Sequence, residues 1–150
     1  MNWAVFKVNL SFKLKTALIG VFLVAILILL TKLFFPQHFI TSLPVWWLSL
    51  WVIVGQPFIE EYIFRHLIQK IILQKMFPIQ RKFKPTKQYF YFSIILTAFV
   101  FSAIHFKAFP ELAVVTYING LIYGFLYYYS DSLTISWIAH ATCNFLSLAL

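Results

Sequence analysis

Apolar residues dominate this chain in long stretches, and short polar clusters separate them. A helix needs about 20 apolar residues to cross a bilayer. On that measure the chain has five candidate spans, at 16–35, from 44 to about 74, at 89–106, at 112–129 and at 133–150. Pro36 closes the first. The second, "VWWLSLWVIVGQPFIEEYIFRHLIQKIILQ", is too long for a simple crossing and is expected to tilt, to kink at Pro57, or to continue beyond the bilayer as an amphipathic segment. The pattern predicts an all-α polytopic bundle of about five membrane helices. A basic segment and first helix occupy 1–43, and a core occupies 44–150.

Composition agrees with this pattern. Hydrophobic residues make up 62% of the 150, and charged residues 11%. A soluble domain averages about 45–50% and about 25%. The net charge of +8 does not point to nucleic acid, because the basic residues flank apolar spans as topology signals and contacts with anionic lipid. Lys7, Lys13 and Lys15 precede the first span, and Arg81, Lys82, Lys84 and Lys87 follow the second, while the loop "PQHFITSLP" has no Lys or Arg. The positive-inside rule therefore places the N-terminus in the cytoplasm, with Lys107 as the main exception. No small-x-small cleavage site follows "TALIGVFLVAILILL", so it reads as a retained helix rather than a signal peptide. The lone Cys143 cannot form an intrachain disulfide. The expected setting is a multi-pass protein of a bacterial plasma membrane.

Against this background a few polar residues stand out. Of the four carboxylates, Glu111 and Asp131 lie at span ends, whereas Glu60 and Glu61 are embedded. A charge inside a bilayer costs at least about 2.5 kcal/mol and is seldom present without a role. Successive helical residues rotate by about 100°. Glu61 and Arg65 therefore share a face and pair, leaving Glu60 free to act elsewhere as a general base. Phe101 shares a face with His105, and His140 with Asn144. At about 1.5 Å per residue, Glu60 and His105 lie roughly 20–25 Å from the cytoplasmic edge, and His140 and Asn144 roughly 13–20 Å, so their convergence requires the helices to tilt. Each of these residues alone is more simply a packing contact. Gly120 and Gly124 read as helix packing, and the Tyr127–Tyr129 run as interfacial aromatics.

Taken together, the residues form three ordered motifs, each in its own span: EExxxR (Glu60, Glu61, Arg65), FxxxH (Phe101, His105) and HxxxN (His140, Asn144). This set resembles the CAAX-protease and bacteriocin-processing family of intramembrane proteases (CPBP, also called Abi), over roughly residues 44–150. The family's usual "AEE" opening is "IEE" here. The resemblance implies that Glu60 activates water, that Glu61 and Arg65 support it, that His105 and His140 are site histidines, and that Asn144 holds the water or the oxyanion. Two chemistries stay open. In one, His105 and His140, with Glu60 as the carboxylate, hold Zn2+ that acidifies the water. In the other, Glu60 acts without metal.

The implied activity is hydrolysis of a peptide bond in a membrane-associated peptide or protein, either prenylated at a CAAX end or a bacteriocin-like peptide. One rival is a self-immunity or scaffold protein without turnover. Another, a proton relay in a transporter, is disfavoured because no inverted repeat is visible.

Overall fold

A computed structural model describes residues 10–34, 46–76, 86–106 and 110–149. Five helices make up nearly all of it, with no strand among the described residues. They are α1 (Leu10–Phe34), α2 (46–76), α3 (Lys87–Phe106), α4 (Ala113–Ser130) and α5 (Leu133–Ala149), with a single 3₁₀ turn at Pro110–Leu112 before α4. The all-helical expectation holds, with ends within a few residues of those read from hydropathy, except at the start of α1. Two helices are long and apolar enough to cross a membrane, over Ser11–Thr31 (mean hydropathy 2.5) and Lys87–Phe106 (1.7), and α5 is apolar but shorter. Several residues used to orient the chain lie outside the described residues: Lys7, the 36–44 loop with its His38, Arg81, Lys82, Lys84 and Lys107.

The packing is inverted relative to a soluble protein. Buried positions include Thr31, Glu61, Arg65, Gln69, Ser93, Thr97, Ser130, Ser136 and His140. Leu14, Leu18, Phe22, Phe92, Phe99 and Phe145 are exposed. Lipid is as apolar as leucine, so outward side chains lose nothing there, while polar side chains gain by bonding across helices. The apolar core is small. Val24 and Ile28 of α1 meet Tyr123 and Leu126 of α4 and Ile135, Ala139 and Cys143 of α5.

Helix α2 runs without a break through Pro57. It runs as α-helix over Trp46–Leu50, widens to π-helix over Trp51–Gly55, returns to α over Gln56–Glu61, and widens again over Tyr62–Met76. The first wide turn sits where Pro57 would otherwise clash with the carbonyl four residues earlier. In the π register the partner lies five residues on, as with the Gln56 N–H on the Trp51 carbonyl. For Val52 that partner would be Pro57, which has no N–H. The leftover Val52 carbonyl accepts instead from Asn144 Nδ2 of α5, at 2.8 Å. Two residues on, the Val54 carbonyl accepts from Trp137 Nε1 at 3.0 Å. Thus α5 docks on the backbone of the wide turn, directly before the two glutamates.

Helices α3 and α4 pack closely at Gly124, where an added Cβ would lie 2.8 Å from Ile94 Cγ2. One expectation is corrected here. Tyr127 is not an interfacial aromatic but is 4% exposed, with Lys70 Nζ 5.5 Å from its ring. The opposing charges at the end of α4 keep each other company, since Lys70 donates to Asp131.

Candidate active site

The site grows from the α turn Gln56–Glu61. Four-residue spacing places Gln56 above Glu60, and its Nε2 donates to Glu60 Oε1 at 2.8 Å. The same spacing places Arg65 on Glu61, with Nε 3.1 Å from Oε2 and both side chains fully buried. The expected pairing of Glu61 with Arg65 is present. Glu61 is spent on structure, while Glu60 keeps 17% of its side chain exposed.

His140 connects the two glutamates. Its Nδ1 lies 3.0 Å from Glu61 Oε1, and its Nε2 lies 3.7 Å from Glu60 Oε2. His105 approaches from α3, with Nε2 3.9 Å from Glu60 Oε1 and Nδ1 2.7 Å from the Phe101 carbonyl. A carbonyl only accepts, so Nδ1 of His105 carries a proton, and in the neutral ring Nε2 offers a lone pair. The carboxylate of Glu61, paired with Arg65, imposes the same tautomer on neutral His140. Two lone pairs and a carboxylate therefore converge from three helices.

Aromatic rings fix both imidazoles. Phe101 stands between them, with centroids 4.5 Å from His105 and 5.8 Å from His140. Tyr123 stacks on His140 at 4.7 Å and 17°. On its other side Phe101 meets Phe64 edge-on at 5.1 Å. A cavity of about 230 Å³ opens beside the histidines, bounded by α1, α3, α4 and α5.

Glu60, Glu61, Arg65, His105 and His140 thus come together as one cluster. Asn144 lines the same cavity, but one of its amide hydrogens is committed to Val52, which leaves the other for a ligand. Three participants were not read from the sequence. Gln56 was within reach, because it stands four residues before Glu60. Ser136, which donates to Glu61 Oε2, and Tyr123 carried no signal, since their roles depend on how α4 and α5 face α2.

The donor types suit zinc, and both Nδ1 atoms are held by oxygen as in many zinc sites. Glu60 lies 3.9 Å from His105 Nε2 and 3.7 Å from His140 Nε2, so these three residues are the ones that would hold zinc, which would acidify a bound water.

A family model described as type II CAAX prenyl endopeptidase, Rce1-like, matches residues 41–146, which takes in all of these residues. No curated protein and no solved structure matches the chain at a significant level.

Proposed function

Because the chain belongs to the Rce1-like family of type II CAAX prenyl endopeptidases, we propose that it is an intramembrane endopeptidase with Glu60 as the general base. This family is membrane-embedded and proteolytic, and its substrates are membrane-associated peptides. The proposal adds a multi-pass arrangement with the N-terminus in the cytoplasm, and a CAAX-type substrate in preference to a bacteriocin-like one.

The observation that carries the reading is His140, held by Glu61 at one nitrogen and facing Glu60 with the other. Separations of 3.7 and 3.9 Å from Glu60 to the two Nε2 atoms are too long for direct hydrogen bonds. They suit a water placed to one side, within reach of all three groups. Such a water donates one hydrogen to Glu60 and one to a histidine Nε2. Its lone pairs then face the cavity.

In the reaction the water oxygen bonds to the scissile carbonyl carbon as Glu60 takes its proton. The free N–H of Asn144 is the donor for the developing oxyanion. Collapse breaks the C–N bond, and Glu60 returns the proton to the leaving nitrogen. The Arg65–Glu61 pair takes no part in the proton transfer and holds His140.

Purified protein in nanodiscs is assayed with quenched-fluorescent peptides, prenylated CAAX peptides among them. Glu60→Gln and His140→Ala are each expected to lower kcat by about 10²–10⁴-fold while remaining folded. Turnover that persists in Glu60→Gln overturns the assignment of the base. Loss of wild-type turnover with a zinc chelator, and its return with added zinc, overturns the metal-free step. No cleavage of any peptide, with Glu60→Gln still functional in cells, favours the immunity or scaffold alternative.

A further inference from the structure

The hydrolytic step leaves two buried polar groups on α4 without a task. Asn119 and Tyr123 stand four residues apart, on one face of the helix, and both line the cavity. Asn119 Nδ2 donates to Cys143 Sγ at 3.5 Å, yet its Oδ1 is buried with no hydrogen-bond partner. The Tyr123 hydroxyl, on a residue only 1% exposed, has the weak acceptor Cys143 Sγ beside it and makes no hydrogen bond of ordinary geometry. Buried polar groups are nearly always paired, and an orphan costs about 1–3 kcal/mol. An orphaned acceptor and an under-satisfied hydroxyl on residues that line one cavity describe what is to fill it.

We propose that Asn119 and Tyr123 form a substrate-positioning subsite that seats the backbone N–H and C=O of one extended residue of the peptide, next to the scissile bond. This rests on the endopeptidase reading. Asn119 Oδ1 can only accept, and a neutral Tyr123 hydroxyl donates. Their complement offers one N–H and one C=O on the same side, which is what a single residue of extended chain presents. Among the described residues the cavity wall has no Lys or Arg, which favours an internal stretch of peptide over a terminal carboxylate. Its volume of about 230 Å³ lies just below the ~300–1,000 Å³ of drug-sized sites. That holds a short stretch of chain and not a folded partner.

The position is useful to the reaction. The Tyr123 ring stacks on His140, so a peptide unit held by its hydroxyl lies about one helical turn from Glu60's partner. Remote backbone binding of this kind converts an encounter into an aligned attack.

The test uses a prenylated CAAX peptide and two sets of analogues. In one, each backbone amide in turn becomes an ester, which removes the N–H. In the other, each carbonyl in turn becomes a thioamide, a weaker acceptor. Wild-type protein is expected to show a rise in KM of about tenfold for the ester at one position near the scissile bond. Asn119→Ala should remove that penalty while raising KM for the parent peptide. Tyr123→Phe keeps the ring on His140 and should remove the matching thioamide penalty. A purely structural role would weaken every analogue alike, and that result overturns the subsite.

The same series is repeated as binding to Glu60→Gln by fluorescence anisotropy, where turnover plays no part. A position-specific penalty that vanishes in Asn119→Ala or Tyr123→Phe upholds the subsite even if the wild type cleaves nothing. In that case only the endopeptidase reading falls. Equal penalties with and without the side chains overturn the subsite even if cleavage is robust. Absence of binding to any peptide overturns both.

Discussion

Glu61→Gln is the most informative single substitution. The Glu61 carboxylate is fully buried and serves Arg65 at 3.1 Å, His140 at 3.0 Å and the Ser136 hydroxyl. Beyond Glu61, Arg65 meets the Phe101 ring at 5.8 Å, while its Nη1 and Nη2 are buried without hydrogen-bond partners and its side chain is fully buried. Removing one member of a buried pair leaves the other charge uncompensated, at about 3–5 kcal/mol. Removing both in favour of groups of similar shape is close to neutral or stabilising by about 1–4 kcal/mol. Glu61→Gln should therefore be destabilised by about 3–5 kcal/mol, and Glu61→Gln with Arg65→Met should recover most of it. The assay is reversible unfolding in mixed micelles of rising SDS fraction, followed by tryptophan fluorescence. Activity must part from stability: the double variant folds, yet His140 has lost the carboxylate that orients it. Loss of such an orienting partner lowers turnover about 10–100-fold. A single variant within about 1 kcal/mol of wild type would refute the claim that this pair is buried. So would a double variant less stable than the single. Full turnover in the double variant would refute the role given to the His140–Glu61 contact.

Asn144→Ala should cost about 1–3 kcal/mol by orphaning the Val52 carbonyl. Pro57→Ala supplies the missing N–H, so Asn144→Ala should cost less in that background, and a double-mutant cycle in the same unfolding assay measures the coupling. Gly124→Ala places a Cβ 2.8 Å from Ile94 Cγ2 and 3.2 Å from Gln69 Oε1. It should destabilise by about 1–3 kcal/mol through overpacking, and a neutral result would mean that α3 and α4 lie further apart than described.

Much of the site was legible from spacing. Glu61 and Arg65 pair because they stand four apart on one helix, and Phe101 covers His105 for the same reason. Such contacts need only helical geometry, which hydropathy had already implied. The convergence of Glu60, His105 and His140 was legible only as an ordered set of motifs, since no local rule says which way three separate helices face. The burial of Tyr127 was misread because a tyrosine run near a span end looks interfacial whichever of its members turns inward.

What the sequence determined by itself was therefore local or statistical. Long apolar stretches make backbone pairing within each segment obligatory in lipid, so the chain must be helical. Embedded charges must find partners, and four-residue spacing names the nearest one. Tertiary structure alone decided the rest. It widened α2 ahead of Pro57 and gave the stranded Val52 carbonyl to Asn144. It also turned His140 so that one nitrogen meets Glu61 and the other faces Glu60. The reason is that the rotation and depth of one helix against another come from the whole set of packed side chains and interhelical hydrogen bonds. A shift of about 1.5 Å and 100°, one residue along a helix, would leave every motif intact and take the site apart.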